Sequence, residues 1–184
     1  MHTYLGCSCY LPQRLRAAFS APIQRLGKLA ALFVLLAFSA TSNADASIDW
    51  PQEGWNVVVT DKSYVDLVDD LRRAVEQADM LVVTEASPTE AAARRGETIP
   101  GNRVIGVFRN DFAVRIIRES VPAMIEAPLR FYVTEDDSES ATLSWKTPSA
   151  VFAPYGQGDD DELAHIASEL DELFTRIANN ATDN

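Results

Sequence analysis

Five arginines, Arg103, Arg109, Arg115, Arg118 and Arg130, fall within 28 positions of a chain whose formal net charge is −11. A guanidinium presents a planar fork of N–H donors that matches a carboxylate or phosphate in two places at once, so a local excess of arginine in an acidic protein suits the capture of a small anion. Arg109 and Asn110 are the best placed, at a predicted strand end and helix start, where free backbone N–H groups add to the attraction. With Arg103 and Arg130 they form the candidate ligand-binding set. The competing reading pairs these arginines with acids such as Asp111, Glu119 and Glu126 on solvated faces.

Other chemistry is thinly supplied. The two cysteines, Cys7 and Cys9, and His2 lie at the extreme N-terminus, which leaves His165 as the one histidine of the remainder. No cysteine-ligated metal site, thiolate nucleophile or ordinary zinc site can be assembled from that inventory, so no metal, cofactor or catalytic residue is expected. The run Asp159-Asp160-Asp161-Glu162 lacks the alternating ligand spacing of a calcium loop and reads as the acidic start of a helix. His165 falls on the polar stripe of that helix and reads as solvated. Trp145, Phe152 and Tyr155 read as core and loop anchors, with the lining of an apolar pocket as the alternative.

The N-terminus has its own pattern. Residues 1–44 carry Arg14, Arg16, Arg25 and Lys28 and no acid, then the apolar run Leu29 to Ala40, then small residues at Ser42, Ala44 and Ala46. A basic flank, about a dozen apolar residues and a small-x-small site make a secretory signal peptide, too short in its apolar part to span a bilayer. Cleavage is expected near 44–46, with a periplasmic or secreted product. The remaining chain then holds 12 basic and 27 acidic residues, a net charge of −15. Such a surface repels phosphate backbones and anionic lipid, so neither nucleic acid nor, after cleavage, a membrane is an expected partner.

The elements that must position the arginines follow from periodicity. After an irregular arm at 45–56, a single domain over 57–178 opens with a strand at Val57 to Thr60. Ser63 then caps a helix with Val65, Val68, Leu71, Val75 and Ala78 inward. A strand at Met80 to Thr84 leads to Ser87-Pro88-Thr89-Glu90, a capping box that starts an alanine-rich helix ended by Gly96. Val104 to Phe108 is an interior strand. Asn110 or Asp111 caps the next helix, with Ala113, Val114, Ile117 and Val121 inward, and Pro128 precedes a strand at Leu129 to Val133. Thr142 to Lys146 alternates as a strand with one wet face, antiparallel to its predecessor. A loop at Thr147 to Gly158 precedes the last helix, with Leu163, Ile166, Leu170, Phe174 and Ile177 on one stripe, and residues 179–184 form a disordered tail. The expected fold is α+β: a two-layer α/β sandwich with a mixed sheet of about five strands and helices mainly on one face.

From about Val57 to Tyr155 the order of these motifs resembles the domain of unknown function 302 family, small bacterial and archaeal domains with a two-layer α/β structure. The resemblance rests on the Thr60/Ser63/Tyr64 entry into a helix, Ala91-Ala92-Ala93 followed by Gly96, the Arg109-Asn110 junction, and Ala127 through Asp136. The family often has Gly-Asn-Pro where this chain has Arg109-Asn110-Asp111, so only Asn110 carries over. It often has a histidine before the alanine-rich helix where this chain has Ser87-Pro88, so a role for that histidine would be lost here. The resemblance implies no established activity. The expected function is therefore an exported non-catalytic module that binds a small anionic ligand or a partner protein. A hydrolase or isomerase working with carboxylates alone, and a structural domain that self-associates as a homodimer, are the alternatives.

Overall fold

The computed structural model describes residues 48–157 and 161–183. The expected signal peptide, its cleavage site, and Asp159 and Asp160 lie outside them. The described elements run β1 (Trp55–Ser63), α1 (Tyr64–Gln77), β2 (Leu81–Ala86), α2 (Pro88–Ala93), β3 (Asn102–Phe108), α3 (Asn110–Glu119), β4 (Leu129–Glu135), β5 (Ser140–Lys146), α4 (Pro148–Phe152) and α5 (Glu162–Thr182). Short 3₁₀ turns at Pro122–Glu126 and Ala153–Tyr155 complete them.

The class is α+β, with one five-stranded sheet in the order β1-β5-β4-β3-β2 and helices packed against it. Every pairing is antiparallel, where a mixed sheet was expected. The cause lies between β3 and β4. The chain leaves the sheet after Phe108, and α3 with the Pro122–Glu126 turn returns it to the same end, so that Val107 meets Leu129 in register. That excursion replaces a crossover that would have made the two strands parallel.

Period-two alternation divides the sheet into two faces. One face presents Ile105, Val107, Phe131, Val133, Leu143 and Trp145, all buried under α1 and α5. Phe131 stacks on Phe174 of α5 with ring centroids 4.5 Å apart and an interplanar angle of 19°. The stripe expected on α5 is buried as read, but the helix continues through Thr182 with Ala181 fully buried, so the described tail does not fray at Asn179. Lys62 explains this end: its ammonium donates to Asp70 at 2.8 Å and to the carbonyls of Ala181 and Asp183 at 2.9 and 2.8 Å, a cation placed on a helix C-terminus.

Local signals at helix starts are realised in part. Ser63 and Ser87 accept the N–H of Asp66 and Glu90, each at 3.2 Å. The return half of the expected capping box is not made, because the Glu90 carboxylate is taken by Arg103. Neither Asn110 nor Asp111 caps α3; Arg109 occupies the cap position with no side-chain bond. The inward faces of two helices are rotated from the expectation: α1 buries Leu67 where Val65 was expected, and α3 buries Phe112 and Ile116 while Val114, Ile117 and Val121 stay exposed. Phe112 decides the second case, since its ring is the largest apolar group on α3 and takes the core position. Part of the expected loop at Thr147 to Gly158 is helical, with Thr147 capping α4.

The other face of the sheet carries no helix of the main layer. Gly54, with φ of +69°, turns the segment before β1 back over it, and Trp50 comes to rest 5.8 Å from the Trp55 ring and edge-on to Tyr132 at 6.0 Å. Ser144, in register with Tyr132, is fully buried, and Thr142 nearly so. On the face of β5 expected to be wet, Thr142 and Ser144 are thus buried and Lys146 alone is exposed. We call this the open face, for the cleft it retains.

Candidate functional site

The four residues singled out by sequence do not converge. Arg103 sits at the start of β3 on the helix side of the sheet, beyond the end of the core. Its guanidinium donates to Glu85 at 2.6 Å, to Glu90, and through Nε to the Tyr64 hydroxyl at 3.4 Å. Arg72 grips the same Glu85 in two places, at 2.9 and 2.6 Å. Burial acts to lower the pKa of Arg103, but the bonds from Tyr64, Glu85 and Glu90 outweigh it and the guanidinium holds its proton more firmly than usual. The Arg72 bond, aided by Arg103, holds the Glu85 carboxyl below the ordinary glutamate range against the opposing effect of burial. These charges are spent on each other.

Arg109 is occupied as well. Its Nε donates to Asp111 at 2.8 Å, Nη1 reaches the Ala78 carbonyl at the end of α1 at 3.4 Å, and the guanidinium lies over the Phe112 ring at 4.3 Å. Burial opposes ionisation of Asp111, but the bonds from Arg109 and the Phe112 N–H outweigh it and lower its pKa. Asn110 is exposed as the first residue of α3. Arg115 forks onto Glu169 of α5 at 2.7 and 2.8 Å, tying α3 to α5. His165 is exposed.

Arg130 differs. Among the described residues its side chain forms no hydrogen bond and no ion pair, and neither does that of Lys146. The side chains of Arg94, Arg95, Arg118 and Arg176 also lack partners among the described residues; Arg176 borders an open cavity beside Asp171 and Glu172, so its surroundings hold acids. Arg130 and Lys146, both exposed, together line one cavity of about 340 Å³ on the open face that no described acid lines, with Trp55, Val104, Tyr132 and Val151 supplying most of its apolar wall. That volume is at the lower end for small-molecule sites.

Register places the two cations side by side. Phe131 pairs with Trp145, so the next step outward sets Arg130 opposite Lys146 on neighbouring strands, and Lys146 is in turn opposite Trp55. The Lys146 ammonium is 5.8 Å from the centre of the Trp55 ring. Like charges directly across strands are unfavourable, and no acid among the described residues relieves this pair. On the other flank Arg130 faces Gly106, whose lack of a side chain is required: a Cβ there would stand 2.1 Å from the Thr84 hydroxyl and 2.9 Å from the Pro128 ring.

A second cavity of about 450 Å³ lies further along the same face and shares Trp55, Asn102 and Tyr132 with the first. Asn102 donates to the Tyr132 hydroxyl at 2.6 Å, forming a bar between the two. Thr134 lines the second cavity, and its hydroxyl is buried with no partner among the described residues. Among the described residues the buried polar ones are Thr134, Thr142 and Ser144, none of them a carboxylate. Among the described residues no group of three or more His, Cys, Asp or Glu is placed to hold a metal ion, and no helix is long and apolar enough to cross a membrane.

Sequence reasoning thus reached Arg130 but missed Lys146, Trp50 and Trp55. A signal for Lys146 was present: Arg130-x-Tyr132-x-Thr134 and Thr142-x-Ser144-x-Lys146 alternate on two strands read as antiparallel neighbours. Setting their ends opposite each other brings the two cations together.

A family model described as domain of unknown function DUF302 matches residues 55–181. The chain is similar in fold to the crystal structure of the uncharacterized conserved protein DUF302 from Bacillus stearothermophilus, with a TM-score of 0.62 and 15% sequence identity over 70% of this chain and 98% of that one. No curated protein matches the chain.

Proposed function

Because the chain belongs to the DUF302 family, whose name carries no activity, we propose from its own geometry that it is an exported, non-catalytic module whose open sheet face binds a small organic anion with an apolar body. The observation that carries this reading is the pair Arg130 and Lys146, side by side and without acidic partners among the described residues, at the edge of an apolar, aromatic-walled cavity. In a chain of net charge −11, two adjacent uncompensated cations have an electrostatic cost that a bound anion offsets. Trp55 and Tyr132 supply stacking surface for the rest of the ligand. No carboxylate lines the cavity among the described residues, which suits binding of an anion. Export rests on the basic flank and apolar run before Ala44, with a periplasmic or secreted site of action.

Calorimetric titration with 1-naphthoate, an aromatic monoanion of suitable size, tests the reading. The protein should bind it, Arg130→Ala should weaken binding about tenfold or more, a loss of about 1.4 kcal/mol, and Arg109→Ala should leave it unchanged. Absence of binding, or binding indifferent to Arg130→Ala, overturns the proposal.

A further inference from the structure

The charge of the cleft points beyond an anion in general to a particular head group. We infer that the site takes a dianion, a phosphate monoester carried on a compact aromatic body, rather than a carboxylate; this rests on the binding reading above. Two cations stand on β4 and β5 one step beyond the last paired residues, Phe131 and Trp145, and line one cavity. A monocarboxylate neutralises one and leaves the other beside it unrelieved. A phosphate monoester at neutral pH carries a charge of −1.5 to −2 and three acceptor oxygens, enough to accept from the Arg130 fork and the Lys146 ammonium together.

The surroundings agree with that division of labour. Both cations are exposed at the mouth, so a strongly hydrated head group need not be buried, which would be costly. The apolar wall of Trp55, Val104, Tyr132 and Val151 begins directly behind them. Lys146 lies against the Trp55 ring at 5.8 Å, so a head group held by the ammonium brings its attached ring to the indole. The cavity, about 340 Å³ with the Asn102–Tyr132 bar on one side, suits a body of one or two fused rings.

The experiment compares 1-naphthyl phosphate with 1-naphthoate, which share one ring system. At about pH 7.5 the phosphate ester should bind roughly tenfold more tightly. That advantage should shrink to about twofold near pH 5, as the second ionisation of the ester, with a pKa of about 6, is lost. Among the described residues the cleft wall holds no histidine or carboxylate to imitate the effect. Lys146→Gln should abolish the preference while naphthoate still binds. Inorganic phosphate, without a ring, should bind at least tenfold more weakly than the ester, and phosphatidate vesicles should not sediment with the protein.

If naphthoate binds through Arg130 but the ester gains nothing, the dianion assignment falls and the anion site stands. Should neither bind, both readings fall. Vesicle binding that the ester cannot compete away would replace the small ester by a lipid head group and overturn the inference as stated.

Discussion

The two faces of this one sheet are built from alternate residues of the same strands, and they treat charge in opposite ways. On the helix side, Arg103 is bound to Glu85 and Glu90, Arg72 to Glu85, and Arg115 to Glu169 and Glu162. On the open side, Arg130 and Lys146 stand adjacent with no acid among the described residues. The helix side buries continuous apolar surface; the open side keeps a cleft between aromatic rings. Residues that stabilise a fold are paired and packed, while residues left unpaired next to a cavity cost stability and are informative about binding. The arginine cluster legible in the sequence mixes both kinds, and only the strand period separates them.

The sharpest way to break this comparison uses neighbours in sequence. Phe131 is fully buried against Phe174 and Trp145, whereas Tyr132 points to the open face. Phe131→Ala should cost about 3–5 kcal/mol in urea unfolding, the range for deleting a buried aromatic ring. Tyr132→Ala should cost about 1 kcal/mol, chiefly the contacts with Trp50 and Asn102, while weakening naphthoate binding. Equal losses of stability would show that the open face is core by another name.

That contrast also explains what could be read from the chain alone. Apolar runs such as Val104 to Phe108 and the stripe on α5 mark their elements because burial forces their composition, and Ser63 and Ser87 announce helix starts because free N–H groups need acceptors. The faces of α1 and α3 are misread because both helices carry apolar residues on more than one side: Val65, Val114, Ile117 and Val121 have the composition of core yet stay exposed. Periodicity locates a helix but cannot rank two apolar stripes. The antiparallel return of β4 depends on where the Pro122–Glu126 turn directs the chain, which is a tertiary matter. For the site, Arg130 is visible as one arginine among five. Its pairing with Lys146 depends on strand register, and the contact of Trp50 with the Trp55 and Tyr132 rings depends on Gly54 turning the chain back, which composition alone does not reveal.

An intermediate effect should come from the spent charges of the helix side. The Glu85 carboxyl is held below its ordinary range, principally by the Arg72 bond. A carboxylate depressed in the folded state contributes stability that is fully present above the unfolded pKa of about 4.3 and is lost as pH falls through the lower folded value. Glu85→Gln should therefore cost about 1 kcal/mol near neutrality, a value reduced by the solvent access of the cluster. It should also lessen the loss of stability between about pH 5 and pH 3. Urea unfolding at both ends of that window measures it. An unchanged acid slope would mean that the ion network is ornamental, and that the two faces differ less in their use of charge than the geometry says.

The smallest expected effect on stability is the most diagnostic. Removing a charge from the open face breaks no bond formed among the described residues and relieves the repulsion between Arg130 and Lys146. Lys146→Gln should therefore leave thermal stability within about 0.5 kcal/mol of the parent or raise it slightly. Arg103→Gln on the opposite face should lower it, since it removes the partner of Glu90 and leaves Arg72 alone on Glu85. Salt separates the two further. Screening should stabilise the parent protein through the open-face pair, and that gain should shrink in Lys146→Gln, because the repulsion being screened has been deleted. A parent protein destabilised by Lys146→Gln to the same extent as by Arg103→Gln would place Lys146 among the structural cations and remove the asymmetry on which the anion site depends.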